Sequence, residues 1–188
     1  MKKYLRLALT ALIITVSLMM GGCGAKVTTE KWAYDHEPGK EILSLSSNGK
    51  AVYKETGYTY TKDDSYIHLK DNSGNITDLR YLIDGEKMIV YETSTYYRDG
   101  GETEDGIYGV WKQDNGWLFR FTKDGQFSEE DFFSGSYRIN KDEQSIKLMY
   151  SDPIPDAILY YSLDGDSLTI EYPWPMVPLQ TEEQTDSQ

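Results

Sequence analysis

Phe119-Arg120-Phe121-Thr122-Lys123-Asp124-Gly125-Gln126-Phe127 alternates apolar and polar side chains on both sides of an Asp-Gly pair. Alternation sends successive side chains to opposite faces of a strand, and Asp-Gly accepts the positive φ that a tight hairpin demands. The same pattern continues outward through Gly109-Val110-Trp111, Gly135-Ser136-Tyr137-Arg138-Ile139 and Tyr161-Ser162-Leu163-Asp164-Gly165-Asp166-Ser167-Leu168-Thr169-Ile170. It predicts an antiparallel meander with strands near 108–112, 117–122, 126–130, 136–140, 145–150, 157–163 and 167–172.

The N-terminal half carries the same order of features, about 76 to 80 residues earlier. Trp32 answers Trp111, and Leu43-Ser44-Leu45 answers Phe119-Arg120-Phe121. Asn48-Gly49 stands for Asp124-Gly125, and Tyr58-Thr59-Tyr60 for Tyr137-Arg138-Ile139. Ile67-His68-Leu69 matches Ile146-Lys147-Leu148, and Tyr81 to Val90 matches Tyr161 to Ile170. The fold class is therefore all-β, as two tandem antiparallel meanders, residues 31–98 and 108–178. Residues 99–107 are rich in Gly and acids and read as a linker. Pro173, Pro175 and Pro178 argue against regular pairing after Tyr172, and 179–188 reads as a disordered polar tail. With a tryptophan and turns of its own, each half is expected to fold as a separate cooperative unit.

These motifs resemble the small lipocalin-like repeats of Firmicute lipoproteins. The resemblance implies that each copy closes into a small barrel with its tryptophan near one end of the core. It implies little about activity, because a fold does not determine a function. The first copy departs from the pattern: Glu30-Lys31 precedes Trp32 and Ala33-Tyr34 follows it, so the Gly-x-Trp element is missing there.

Residues 1–22 read as a cleaved helical signal peptide, with Lys2, Lys3 and Arg6 before an apolar run from Leu7 to Met20 and then Gly21-Gly22-Cys23. The apolar run falls short of the roughly 20 residues that a membrane-crossing helix needs. Met20-Gly21-Gly22-Cys23 resembles the lipobox of bacterial lipoproteins, which implies that Cys23 receives a diacylglyceryl group and begins the mature chain. Two acyl chains give firm anchoring. Residues 23–30 are then a lipidated tether, and the expected address is the extracytoplasmic face of the cell membrane. Cys23 is the sole cysteine, so no disulfide forms within one chain.

The whole chain carries a net charge of −12. Losing residues 1–22 removes three basic groups and no acid, which takes the charge to about −15. Such a surface repels phosphate backbones, so nucleic acid is not an expected partner. Much of the apolar content is aromatic, with 16 Tyr, 4 Trp and 5 Phe, which suits half-buried strands and contact surfaces.

No convergent catalytic set is visible. His36 and His68 are the two histidines, and they belong to different segments. His68, between Ile67 and Leu69, reads as an outward strand residue. Ser47 and Lys50 have a spacing used by serine acyl-enzymes, but they straddle a hairpin turn rather than one face of a helix. Asp71 to Asn75 with Asp78, and Asp99 to Asp105, read as a turn and a solvated linker rather than calcium loops. Asp63 and Asp64 are adjacent, so on a strand their side chains diverge. No catalytic, metal or cofactor residue is therefore assigned, and Cys23 is the one site residue. The expected function is a non-enzymatic binding module for an envelope protein, glycan or small ligand, through unmatched aromatics such as Tyr96, Tyr97 and Trp174. The alternative is an envelope hydrolase using carboxylates.

Overall fold

A computed structural model of the protein describes residues 26–100, 106–151 and 153–179. The expected signal peptide, Cys23, most of the expected linker and the expected tail beyond Leu179 lie outside the described residues. The described part is all-β. The first half forms β1 (Thr29–Tyr34), β2 (Leu43–Ser46), β3 (Lys50–Tyr53), β4 (Thr56–Lys62), β5 (Tyr66–Lys70), β6 (Ile76–Asp84) and β7 (Lys87–Gly100). The second forms β8 (Gly109–Lys112), β9 (Leu118–Phe121), β10 (Gln126–Glu129), β11 (Phe133–Asn140), β12 (Ser145–Tyr150), β13 (Ala157–Asp164) and β14 (Ser167–Pro178). Each strand pairs antiparallel with its sequence neighbours, and β1 meets β14 to close the ring.

One further pairing crosses that ring, with Met88–Tyr97 of β7 lying antiparallel to Ser167–Met176 of β14. It divides the ring into two closed circuits of strands. The first contains β1 to β6, the start of β7 and the end of β14, where Met176 to Pro178 pair with Tyr34 to Trp32. The second contains β8 to β13, the start of β14 and the end of β7, where Tyr97 and Arg98 pair with Lys112 and Trp111. A separate apolar core lies within each circuit. β7 contributes Met88 and Val90 to the first core and Tyr96 to the second, while β14 contributes Met176 to the first and Leu168 and Ile170 to the second.

Two expectations change here. β14 does not stop at Tyr172. Its Pro175 carbonyl accepts from Asp35 N, so Pro173 and Pro175 turn their N–H positions away from β7. They lie where β14 has left β13 at Glu171 and is crossing to β1, so the ladder with β7 loses no donor to them. Nor do the halves close independently. β7 runs on through Asp99 and Gly100, and each circuit takes its last strand segment from the other half of the chain.

Corresponding pairs recur in the two circuits. Trp32 faces Leu43 as Trp111 faces Phe119, Ile67 faces Leu79 as Ile146 faces Leu159, and Val90 faces Tyr81 as Ile170 faces Tyr161. Tyr60, rather than Tyr58, takes the place of Tyr137, since Tyr60 faces Leu69 and Tyr137 faces Leu148. A slip of two residues keeps the same face inward, so alternation alone cannot detect it.

The missing Gly-x-Trp element also has a structural counterpart. Gly109 has φ +130°, and a Cβ there would lie 2.4 Å from Gly100 O. Behind it the Arg98 guanidinium donates to the carbonyls of Gly106 and Tyr108 at 2.7 and 2.9 Å and covers the Trp111 ring at 4.3 Å. Trp111 Nε1 donates to Ile107 O at 2.7 Å. In the first circuit Pro178 stands opposite Trp32 where Arg98 stands opposite Trp111, and Trp32 Nε1 has no acceptor among the described residues. On the outer face Arg80 of β6 pairs with Glu171 at 2.5 Å and lies over the Tyr160 ring of β13 at 4.1 Å, bracing one circuit against the other.

Candidate functional site

The even-numbered residues of β7 and β14 share one face. Where the strands pass between the two cores, that face carries Glu92 and Ser94 on β7 and Tyr172 and Trp174 on β14, with Glu92 directly opposite Tyr172. These residues form one side of a pocket of about 510 Å³ at the second circuit. The rest of its wall comes from Tyr96, from Gln113, Asn115 and Trp117 around the β8–β9 turn, from Glu129 and Phe133 on the β10–β11 hairpin, and from Tyr150 and Ile154.

Glu129 is the chemical centre of this pocket. It is only 7% exposed, and it follows Phe127 on the inward face of β10. Its carboxylate accepts from Tyr150 OH at 2.7 Å and Trp117 Nε1 at 3.1 Å, and Tyr150 OH lies 3.2 Å from Tyr172 OH. The next two residues, Glu130 and Asp131, both have positive φ, at 54° and 51°. Two successive residues with positive φ also occur at Lys54 and Glu55 between β3 and β4, so this geometry belongs to the hairpin turn. Burial raises the Glu129 carboxyl pKa above its ordinary range, more than its two hydrogen bonds lower it. Burial, and then the Glu129 charge, push the Tyr150 hydroxyl up, so it stays a neutral donor.

A pKa raised in the folded state means that the ionised group opposes folding once the pH exceeds the unfolded carboxyl value. Glu129→Gln is therefore expected to raise the melting temperature at neutral pH. The gain should shrink as the pH falls through the raised pKa, where Glu129 is protonated as well. Thermal unfolding of both proteins across the acid range tests this; an equal gain at every pH would contradict it.

The other carboxylate, Glu92, is differently placed. It accepts from Tyr34 OH, from Tyr53 OH at 2.9 Å and from Lys54 Nζ at 2.6 Å, so a cation already answers its charge. The Tyr34 ring stacks on His36 at 5.3 Å, and both approach Trp174, at 5.6 and 5.8 Å. The fold thus brings His36 and Trp174 together at the edge of the pocket.

The remaining candidates lie elsewhere. Tyr96 faces the pocket and is buried, whereas Tyr97 leaves the opposite face of β7 and is 51% exposed. The two therefore do not form one contact surface. His68 sits on the outer face of β5, with Nδ1 2.7 Å from Asp78 and Nε2 3.4 Å from Asp63, and these carboxylates raise its pKa above the ordinary 6.5. Asp63 caps the β4–β5 turn by accepting from Ser65 N and Tyr66 N, both at 2.8 Å. Asp64 shares that turn and does not line the pocket. Asp71 accepts from Ser73 N and Asn75 N, both at 2.8 Å, as a turn residue. Ser47 and Lys50 flank the β2–β3 hairpin at Gly49, φ 79°. Among the described residues no group of three or more metal-binding side chains converges.

The reading of the sequence missed Glu129, Trp117, Tyr150 and Tyr172. One signal was present: in Phe127-Ser128-Glu129 the alternation places an acid at an inward position, where a charge is unexpected. Compared with protein-family models, with curated proteins and with solved structures, the chain matches none.

Proposed function

We propose that the protein is a lipid-anchored, extracytoplasmic binding module, held to the cell membrane through Cys23, whose pocket between β7, β10, β12 and β14 takes a small ligand. The observation that carries this reading is a pocket of about 510 Å³ with an aromatic wall and a buried carboxylate at its centre. Ligand sites are typically concave, mostly apolar and supplied with a few convergent polar groups. Keeping an acid at a position that opposes folding is intelligible if the acid serves binding. The recurring strand registers support a duplicated, lipocalin-like unit, with the pocket at the second copy.

The hydrolase reading has one observation in its favour, the raised Glu129 pKa in a cleft. Hydrolysis needs in addition a nucleophile or activated water with a base in reach and a stabiliser for developing charge. The partners of Glu129 are neutral donors, which suits binding better.

Two measurements test the proposal. Cys23→Ala is expected to move the protein from the membrane fraction to the soluble fraction, and persistence after a salt wash would count against the anchor. Small apolar molecules are expected to shift the indole N–H resonances of Trp117 and Trp174 while leaving those of Trp32 and Trp111 in place. Shifts at all four tryptophans, or at none, would remove the pocket as the site.

A further inference from the structure

The pocket's charges identify the kind of ligand it suits, an argument that rests on the binding reading above. Among the described residues its wall contains two carboxylates, Glu92 and Glu129, and no lysine, arginine or histidine. Lys54 compensates Glu92 at 2.6 Å, but among the described residues the donors to Glu129 are the neutral Tyr150 and Trp117. A buried carboxylate without a counter-charge is costly, because neutral hydrogen bonds replace only part of its lost hydration.

Three ligand classes can be compared on that basis. An anion would add a charge beside Glu129 in a molecule that already carries −12, and repulsion disfavours it. An uncharged ligand would exclude more water and leave Glu129 still less compensated. A cation supplies the missing partner, and the surrounding Tyr96, Trp117, Phe133, Tyr150, Tyr172 and Trp174 offer ring faces whose quadrupoles also attract positive charge. Hydrated metal ions gain little from such rings, whereas an ammonium bearing carbon substituents uses both the charge and the aromatic wall.

We infer that the pocket binds a small organic ammonium ion, with its charge beside Glu129 and its apolar body against the aromatic rings of β12 and β14. Pocket binding and cation selectivity can fail separately, so the test uses three probes of nearly one shape on the full-length chain in mild detergent. These are choline, its uncharged isostere with carbon in place of nitrogen, and the matching carboxylate. Calorimetry measures affinity, and the Trp117 and Trp174 indole resonances report location. Choline should bind about tenfold more tightly than its carbon isostere, and the carboxylate more weakly than either. Glu129→Gln should bring choline down to the level of the isostere. Equal affinity for all three probes would overturn the ammonium assignment and leave the pocket in place. Retention of the choline preference in Glu129→Gln would overturn the role of Glu129, and absence of binding by every probe would overturn both the assignment and the pocket.

Discussion

A chain ending at Tyr172 is expected to lose the fold of its first half, although the deleted residues lie at the far end of the sequence. Pro173 to Pro178 form the last strand segment of the circuit that begins at β1. Met176 pairs with Tyr34 and Met88 and is 0% exposed in the first core, beside Leu43, Val90 and Ile67. Deleting the segment opens the circuit, exposes the edges of β1 and β7 and leaves a void where Met176 packs. Met176→Ala alone should cost about 2 to 5 kcal/mol, against roughly 5 to 15 kcal/mol for the stability of a whole domain. Hydrogen exchange gives the spatial readout: protection should fall across β1 to β6 and persist in β9 to β12. Protection lost equally in both halves would mean that the circuits unfold as one unit, and unchanged protection would contradict the shared-strand assignment.

Gly135→Ala should destabilise the second circuit and disturb the pocket together. A Cβ at Gly135 would lie 2.0 Å from Met149 O and 2.9 Å from Tyr150 Cα, both backbone atoms that no rotamer change can move aside. Gly135 pairs with Tyr150 on one side and Phe127 on the other, so relief of the clash pushes β12 away from β11. Tyr150 would carry its hydroxyl away from Glu129. The expected loss is at least about 1 to 3 kcal/mol, the usual cost of overpacking. Gly57→Ala is the matched control. Gly57 is also a strand glycine, a Cβ there meets nothing within 4 Å, and its replacement should leave stability unchanged or raise it by about 0.5 to 1 kcal/mol. Denaturant midpoints of the two variants test the pair, and similar midpoints would show that β11 and β12 can separate at little cost.

The pocket was less legible in the sequence than the strands because its residues come from five strands and two connecting turns. Trp117, Glu129 and Tyr150 come together across β9 to β12, and Tyr172 joins them from β14. Trp174 was visible as an aromatic without a counterpart, but its partner His36 was not, since their approach depends on β14 passing from β13 to β1. The Glu130-Asp131 turn carries neither glycine nor asparagine, so no turn motif marked it. Tyr96 and Tyr97 read as one exposed pair, yet an extended strand points them to opposite faces.

The sequence by itself determined the all-β class, the antiparallel order of strands within each half and most strand positions in the second half. These follow from local physics: alternation selects a strand, and Asp-Gly or Asn-Gly selects a tight turn between sequence neighbours. Tertiary structure alone decided that β7 and β14 lie side by side and that each half completes the circuit of the other. That pairing joins segments some eighty residues apart, through backbone hydrogen bonds that any side-chain pattern can make. The same alternation is satisfied whether a strand ends in its own circuit or continues into the next one. Only the simultaneous closure of both cores, with Met176 filling the first and Tyr96 the second, selects the crossed arrangement and places Glu129 in a pocket.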